Sequence, residues 1–316
     1  MEQTTFFPER DPDRTGNSPD LPSLIRFGTS TWAYPGWQGI VYSKKHTTSE
    51  DYLREYVNHP HFRTAGADFT FYRPPDPGML GSLKSFLPPD FKLVFKVWDE
   101  ITVDRFQKVD ESQHHNRKAG EKNPAFLDAA YFQDHFLFPF QEAAFRDHTG
   151  CLLFEFRSST ARQPGRFLER LNKFLAALPT DYNYAVEVRE PKLLTEDYVS
   201  VLRDNKASHV YNHWDRMPSL AEQMSAVPFT GKIAVSRILT PLGMPYATAK
   251  KKFAPYNTLR PENVLPKMRE DVVSLCLESV RQRLPGFILV NNRSEGCSPL
   301  TIRALEEMLQ SRLRAD

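Results

Sequence analysis

Charged side chains stand at the ends of several short apolar runs in this chain, and two of them share one run. Glu187 and Arg189 are two positions apart near the end of residues 183–189, so strand alternation points both to the same face. There a carboxylate can act as a general acid or base, and a guanidinium can hold an anionic group through two parallel hydrogen bonds. The same two side chains could instead form an ion pair that closes one end of the fold.

Two further cations and one further carboxylate also end apolar runs. Lys96 and Arg237 together predict an electropositive pocket suited to a phosphate or a carboxylate. Taken singly, each could be a surface cation or the partner of Glu155 or Glu187, because Lys and Arg are rarely buried unpaired. A hydrolysis needs a second carboxylate, and Glu155 is the candidate at a strand end. Glu187, Lys96 and Glu155 are therefore the candidate catalytic residues.

Hydroxyl, aromatic and amide side chains follow the first, second and last apolar runs. Trp32 and Tyr72 could stack on a sugar ring, although aromatic residues more often serve packing. Asn291 and Asn292 end the last run, where barrels of parallel strands often hold a phosphate. With Ser30, which ends the first run, and with Arg189 and Arg237, they form the predicted ligand-binding set.

Metal and thiol chemistry have weaker support in the sequence. Glu155, Glu187 and His213 could assemble a carboxylate–imidazole site, which leaves a metal-dependent hydrolase or isomerase as an alternative. The adjacent histidines at 59–61 and 114–115 have no third ligand at a defined spacing, and Cys297 is a single thiol without a placed histidine. We therefore predict no metal ion and no cofactor.

The elements that would position these residues alternate along the chain. A short apolar strand followed by a helical pattern, repeated, indicates a parallel sheet with right-handed crossovers, and its chemistry lies at the C-terminal ends of the strands. A doubly wound dinucleotide fold would show a GxGxxG turn after the first strand, and the residues at 28–32 do not form one. Eight regularly spaced candidates favour a single closed TIM-type (β/α)8 barrel. The predicted strands are 24–30, 67–72, 91–97, 151–156, 183–189, 207–212, 231–237 and 285–291. The predicted helices are 49–58, 125–145, 165–178, 195–203, 261–283 and 299–314.

Three segments lie outside the repeating pattern. Residues 1–22, rich in Pro, Asp and Ser, are predicted as a disordered or surface-draped arm before one barrel domain at 23–316. Residues 98–124 and 238–260 are polar insertions that follow strand ends. They would overhang the site as covering loops, or they are decoration.

The bulk composition narrows the class of protein. The 316 residues carry 41 basic and 39 acidic side chains, a net charge of +2, which gives no nucleic-acid footprint apart from the basic run at 250–252. No apolar stretch approaches the ~20 residues of a membrane span. Three cysteines without a CxxC spacing fit a reducing compartment, so a cytoplasmic location is predicted.

Six short motifs in one order resemble those of the domain-of-unknown-function 72 family, the YecE-like proteins. They cover nearly the whole chain from residue 26, and the resemblance implies a TIM-type barrel without an assigned reaction. The matching residues are Gly28-Thr29-Ser30-Thr31-Trp32-Ala33-Tyr34 with Trp37, Thr70-Phe71-Tyr72-Arg73 with Pro75, Phe95-Lys96 with Ile101-Thr102, Glu187-Val188-Arg189, Arg237, and Asn291-Asn292 with Gly296.

Several polar positions depart from the pattern of that family. Where the family usually carries Glu and Asn before Thr-Phe-Tyr, this chain has Gly66 and Asp68. Glu155 begins a Glu-Phe-Arg where the family has Gln-Phe-Pro, and Glu190 and residues 239–240 replace a His and a His-Gly. The chain is thus identified as a divergent member.

The predicted function is binding of a small phosphate-, carboxylate- or sugar-like molecule at the C-terminal mouth of the barrel. Transformation of that ligand and non-catalytic binding after loss of turnover are both consistent with these residues. Nucleic acid and membrane are not predicted partners, and the sequence carries no indication of the oligomeric state.

Overall fold

Eight parallel strands pair in chain order and close on themselves, with the last strand beside the first. In the computed structural model, residues 21–106 and 118–315 are described. The closed cylinder, ringed by helices, confirms the predicted TIM-type barrel. The strands are β1 (Ile25–Thr29), β2 (Thr64–Ala67), β3 (Lys92–Lys96), β4 (Thr149–Phe156), β5 (Tyr184–Val188), β6 (Ser208–His213), β7 (Ala234–Ile238) and β8 (Gly286–Val290).

The helices surround the strands, and several of them begin at a residue whose side chain satisfies a free backbone N–H group. Thr48 accepts from the backbone of Asp51, and Ser219 forms a reciprocal capping box with Glu222. The helices are α1 (Ser49–Tyr56), α2 (Pro77–Lys84), α3 (Asp99–Thr102), α4 (Ala129–Phe132), α5 (Phe138–Glu142), α6 (Pro164–Ala176), α7 (Glu196–Asp204), α8 (Leu220–Ala226), α9 (Tyr246–Phe253), α10 (Pro266–Arg281) and α11 (Ser298–Ala315). A π-helical turn, Gln133–Leu137, joins α4 to α5, and 3-10 turns lie at Pro35–Trp37, Asp68–Phe71, Arg146–His148, Ser158–Ala161, Pro191–Leu193 and Pro261–Asn263.

The prediction for the second strand was wrong in position. The aromatic residues of 68–71 form a 3-10 turn, and β2 is the preceding Thr64–Ala67. These four residues are small because β2 lies against the chain of β1: a Cβ on Gly66 would lie 2.9 Å from the Ser30 carbonyl oxygen. A strand without large apolar side chains lacks the pattern by which strands are found in sequences.

The three segments outside the repeat have different outcomes. Residues 1–20 of the predicted arm and 107–117 of the first insertion lie outside the described residues. Leu21, which directly precedes the barrel, is buried in the core. The second insertion contains α9, which the sequence analysis missed together with α2, α3 and α8. No helix among the described residues is long and apolar enough to cross a membrane.

The interior of the barrel has its own small apolar core, separate from the layer between strands and helices. Inward-facing members include Val94, Leu153, Ala185, Val235 and Leu289. Side chains alternate along a strand, so the residues two positions further on face the same interior at its C-terminal end. These residues are Lys96, Glu155, Glu187, Arg237 and Asn291, together with Asn212, which follows the inward-facing Val210.

Replacing Gly28 with Ala should destabilise the protein by about 3 kcal/mol, because the new Cβ would lie 1.9 Å from the Thr64 carbonyl oxygen in the neighbouring strand. A paired backbone cannot move aside as a flexible side chain can. Urea denaturation measures the loss. Gly81→Ala in α2 is the matched control, with no atom within 4 Å of its Cβ, and it should stabilise by about 0.5–1 kcal/mol. Equal effects of the two substitutions would contradict the close approach of β1 and β2.

Burial of His209 in β6 should make stability fall as the pH is lowered. Burial lowers the pKa of His209 from 6.5 to about 4, with a smaller opposing effect of Gln223. Between these values the unfolded chain binds a proton that the folded chain excludes, so stability is lost at about 1.4 kcal/mol per pH unit. His209→Gln should flatten this dependence in urea denaturation between about pH 7 and pH 5. The matched control is His135→Gln, at an exposed position of the π-helical turn. An unchanged slope in His209→Gln would rule out this residue as its source.

Candidate functional site at the C-terminal end of the barrel

Six charged side chains meet at the C-terminal end of the barrel. They come from four strands and two following segments, as the convergence of parallel strand ends requires. We call this set the ionic cluster, and its members are Asp68, Lys96, Glu155, Glu187, Arg189 and Arg237.

Arg237 is the centre of the ionic cluster. Its Nη1 lies 2.6 Å from Glu187 Oε2 and 2.9 Å from Glu155 Oε2. Its Nη2 lies 3.0 and 3.2 Å from the two carboxylate oxygens of Asp68. Burial disfavours the charge of this guanidinium, but Asp68, Glu187 and Glu155 outweigh burial and raise its pKa well above the ordinary value. Arg237 is therefore a permanent buried cation held by three carboxylates.

A single oxygen of Glu155 receives three cations. Oε2 lies 3.0 Å from Lys96 Nζ, 2.8 Å from Arg189 Nη2 and 2.9 Å from Arg237 Nη1. Burial alone would raise the pKa of Glu155, but Arg189, Lys96 and Arg237 together hold it well below its usual range. Glu155 thus stays ionised at neutral pH, which does not suit a general acid.

Glu187 has no exposed surface and lies directly beside Glu155 in the pairing of β4 with β5. Both carboxylates reach the same Arg237 nitrogen, so the guanidinium occupies the space between them. A glycosidase needs that space for the scissile bond. Arg189 Nη2 is also 2.7 Å from Glu187 Oε1. This geometry favours the interpretation in which Glu187 and Arg189 form an ion pair that closes the barrel end.

The charges of the ionic cluster balance, with three cations against three carboxylates. Lys96 and Arg237 both contact Glu155, which is the partner that the sequence analysis offered as the alternative to an open electropositive pocket. Asp68 is the most accessible carboxylate of the three, with 36% of its side chain exposed. The ionic cluster itself therefore presents no net charge to a molecule that enters the mouth, while Arg293 lies 4.4 Å from the ring centroid of Tyr246 at its border.

Several buried polar atoms around the ionic cluster lack a hydrogen-bond partner within the described part of the chain. Glu187 Oε1 is close to Arg189 Nη2 but is not aligned with it for a hydrogen bond. Leaving a buried polar atom unpaired costs about 1–3 kcal/mol, so such atoms in one place indicate water or a ligand there. They are Ser30 Oγ, Glu187 Oε1, Arg189 Nε, Asn212 Oδ1 and Arg237 Nε.

Three aromatic side chains, which we call the aromatic rim, border the ionic cluster: Tyr72, Trp214 and Tyr246. Tyr72 and Tyr246 are 53% and 45% exposed. Burial raises the pKa of Tyr72, and Asp68 and Tyr246 add to this effect, which places all three groups near one another. Trp214 covers Arg189 at 4.1 Å from its ring centroid and lies 6.3 Å from the ring of Tyr246. The second insertion supplies Tyr246, so this insertion does border the mouth.

Three predicted ligand-binding residues have hydrogen-bond partners within the fold. Trp32 is buried, and its Nε1 donates to the Ser49 carbonyl oxygen at 2.9 Å. Asn292 Oδ1 accepts from the backbone N–H and the hydroxyl of Ser298 and so fixes the start of α11. Asn291 Oδ1 accepts from the backbone N–H of Arg293. Of the predicted set, Arg189 and Arg237 belong to the ionic cluster, Tyr72 lies near Asp68, and Ser30 and Asn291 follow strand ends at the same end of the barrel.

Sequence reasoning missed three residues that the structure brings to this end. Asp68 stands where the family usually carries Asn, and the sequence pattern assigns it no role. Trp214 follows directly after β6, a position that could have been found because polar and aromatic residues at strand ends mark barrel sites. Tyr246 could not be placed, since an insertion gives no register with the strands.

The metal and thiol alternatives lack support in the described residues. His213 lies on the opposite face of β6 from Asn212, and its Nδ1 is 2.8 Å from the Thr240 carbonyl oxygen. Within residues 21–106 and 118–315, no three His, Cys, Asp or Glu side chains are placed to share a metal ion. Burial raises the pKa of Cys297 to about 11, which opposes a reactive thiolate at neutral pH.

A closed barrel of eight parallel strands with its polar groups at the C-terminal end defines a TIM-barrel protein. The chain belongs to the family of proteins of unknown function DUF72, whose family model matches residues 26–315. No curated protein matches the sequence significantly.

Solved structures of other DUF72 family proteins share the fold. A protein from Enterococcus faecalis V583 is 17% identical with a TM-score of 0.62, and the alignment covers 91% of this chain and 95% of that one. A protein from Thermotoga maritima MSB8 is 20% identical with a TM-score of 0.60, covering 90% of this chain and 99% of that one. At these identities the likeness shows the fold alone.

Proposed function

We propose that this protein binds a small, hydroxyl-rich, sugar-like molecule at the C-terminal mouth of the barrel. The observation that carries the proposal is the combination, at one place, of a charge-balanced cluster of donors and acceptors with an exposed aromatic rim. Sugar rings present hydroxyls at their edges and apolar C–H groups on their faces. The hydroxyls suit the ionic cluster, and the faces suit Tyr72, Trp214 and Tyr246.

Charge balance favours an uncharged ligand over an anion. A phosphate would have to displace Asp68 or Glu155 from its cations, because each cation of the ionic cluster already has a carboxylate partner. A hydroxyl group needs no displacement, since it can donate to the accessible Asp68 carboxylate and accept from Lys96 or Arg189 at the same time. Of the phosphate-, carboxylate- and sugar-like ligands predicted from the sequence, we therefore propose the sugar-like ones.

Turnover of the ligand would require a group that reaches it. Asp68 meets this condition by its exposure, whereas Glu187 is enclosed and would position Arg189 and Arg237. If the protein is an enzyme, Asp68 takes part in the reaction after the ligand has bound. If it is a binding protein, Asp68 only holds the ligand.

Calorimetric titration with neutral monosaccharides and with their uronic acids and phosphates tests the proposal. We expect the neutral sugars to bind more tightly than their charged counterparts, and Tyr246→Ala to weaken binding about tenfold. Phe138→Ala is the matched control, because Phe138 is 53% exposed on α5 and is absent from the aromatic rim. Product analysis after long incubation of the bound sugar distinguishes enzyme from binder. Tighter binding of the phosphates, or equal binding by Tyr246→Ala and the parent, would overturn the proposal.

A further inference from the structure

The second insertion carries an unbalanced positive charge. Residues 239–265, which contain the insertion and the turn after it, have one acidic side chain, Glu262, against four basic ones: Lys250, Lys251, Lys252 and Arg260. The whole chain has 41 basic and 39 acidic side chains, so the positive excess is concentrated in this segment. A net charge near zero therefore does not describe this surface.

The structure places three of these cations beside the aromatic rim. Helix α9 buries Ala249 and Phe253 and leaves its three lysines exposed. Tyr246 begins the same helix, one turn before Lys250, so these two side chains lie on the same side of it. The guanidinium of Arg293, from the loop after β8, lies 4.4 Å from the ring centroid of Tyr246. We call the resulting set the basic strip, and its members are Tyr246, Lys250, Lys251, Lys252 and Arg293.

Contacts with neighbouring loops hold the basic strip in place. The hydroxyl of Tyr34 donates to the Pro255 carbonyl oxygen at 2.6 Å, and the hydroxyl of Tyr256 donates to the Lys250 carbonyl oxygen at 3.1 Å. A Cβ on Gly296 would lie 2.6 Å from the Thr258 carbonyl oxygen, so the insertion packs closely on the loop after β8. A surface that is already ordered loses less conformational entropy on binding than a flexible tail does.

The cations of the basic strip have no carboxylate partner in the part of the chain that the structure describes. Two nearby carboxylates are already next to other cations: Asp68 pairs with Arg237, and Asp215 lies 3.9 Å from Arg216. Four cations in one place without acidic partners produce a positive potential that attracts a polyanion.

We infer that the basic strip binds single-stranded nucleic acid, with phosphates on its lysines and Arg293 and with bases against the exposed rings of Tyr246 and Tyr72. These rings are 45% and 53% exposed. Proteins that hold single strands combine a positively charged track with aromatic rings on which bases stack. A duplex hides the faces of its bases, and an acidic protein or an anionic membrane has no bases to stack on these rings. The inference does not depend on sugar binding at the mouth.

The probe is a fluorescent oligothymidylate of about 20 nucleotides, titrated with the full chain and followed by anisotropy between about 50 and 200 mM salt. We expect micromolar binding that weakens with salt, with a log–log slope of about −2 to −3 for three or four phosphate contacts. The triple variant Lys250→Gln, Lys251→Gln, Lys252→Gln should bind at least tenfold more weakly at about 50 mM salt, with the slope reduced by about 2. Tyr246→Ala should bind about tenfold more weakly at every salt concentration, because stacking is not screened.

The matched control removes the same charge at the opposite end of the barrel. Lys173→Gln, Arg203→Gln and Arg312→Gln change exposed residues in the last turns of α6, α7 and α11, and this triple variant should bind as the parent does. A duplex of the same length and inorganic polyphosphate are the comparison ligands, and both should bind more weakly than the single strand at about 150 mM salt.

Four results would overturn the inference. They are no binding below about 1 mM, a flat salt response, equal losses in the two triple variants, and binding of the duplex or of polyphosphate at least as tight as that of the single strand at about 150 mM salt. The lysine variant lies outside the ionic cluster and the aromatic rim apart from its helix, so it should leave sugar binding at the mouth unchanged. Failure of the sugar titration and failure of this inference are therefore distinguishable.

Discussion

Replacing Arg237 with Met should lower the free energy of unfolding by about 3–5 kcal/mol. The substitution leaves Glu187, which has no exposed surface, without its 2.6 Å partner, and it removes one of the three cations that hold Glu155. Only Arg189 and Lys96 then face the three carboxylates of the ionic cluster, and removing one partner of a buried ion pair is strongly destabilising because it leaves excess buried charge. Urea denaturation followed by circular dichroism measures the change.

Two further variants separate this effect from the loss of a long side chain. Arg303→Met removes an exposed arginine with an exposed partner and should change stability by less than about 1 kcal/mol. The double variant Arg237→Met, Glu187→Leu removes both ends of the buried pair and should regain a large part of the stability. A loss below about 1 kcal/mol in the single variant would show that the ionic cluster does not hold the barrel end together.

Replacing Asp68 with Asn should convert the mouth into an anion site. The change takes the carboxylate from Arg237 Nη2 and gives the ionic cluster a net charge of one positive unit. The Asn amide stays beside Arg237 but carries no charge, so an oxyanion can approach the guanidinium without repulsion from Asp68, and charge-assisted hydrogen bonds to it contribute about 1.5–3 kcal/mol. We therefore expect inorganic phosphate to bind roughly tenfold to hundredfold more tightly than to the parent chain, as measured by calorimetry.

The control for Asp68→Asn must change the total charge equally at a distant place. Asp204→Asn does so, because Asp204 is exposed at the end of α7, remote from the mouth. Phosphate binding should be unchanged in this variant and should fall with salt in Asp68→Asn. If both variants gain phosphate affinity equally, the effect comes from net charge and not from the release of Arg237.

The barrel and the direction of its polar end could be predicted from the sequence because both follow from local patterns. Apolar strands that end in charged residues specify which end carries Lys96, Glu155 and Arg237, and the alternation in β5 correctly placed Glu187 and Arg189 together. The second strand could not be found, since its residues are small to let β1 approach. A local sequence pattern shows the size and polarity of side chains. β2 is a strand because of its pairing with β1 and β3, which no local pattern shows.

The pairing within the ionic cluster could not be predicted for a related reason. Whether Lys96 and Arg237 form an open anion pocket or neutralise Glu155 depends on distances across the barrel, which no spacing along the chain determines. Asp68 is decisive for the charge balance, yet it lies in a turn just after β2, where the predicted register was wrong. Because the predicted bounds of β2 were wrong, Asp68, which determines the net charge of the ionic cluster, was not recognised as a residue that follows a strand end.

Arg237 on β7 forms ion pairs with side chains from β4, from β5 and from the turn after β2. None of these strands is a neighbour of β7 in the sheet. These ion pairs cross the interior of the barrel, whereas the backbone hydrogen bonds between strands run around its circumference. Separating two neighbouring strands would therefore disturb the contacts of Arg237 as well as the hydrogen bonds between those strands. If a ligand binds at the mouth as proposed, its binding would be linked through the Arg237 guanidinium to the resistance of the whole barrel to opening.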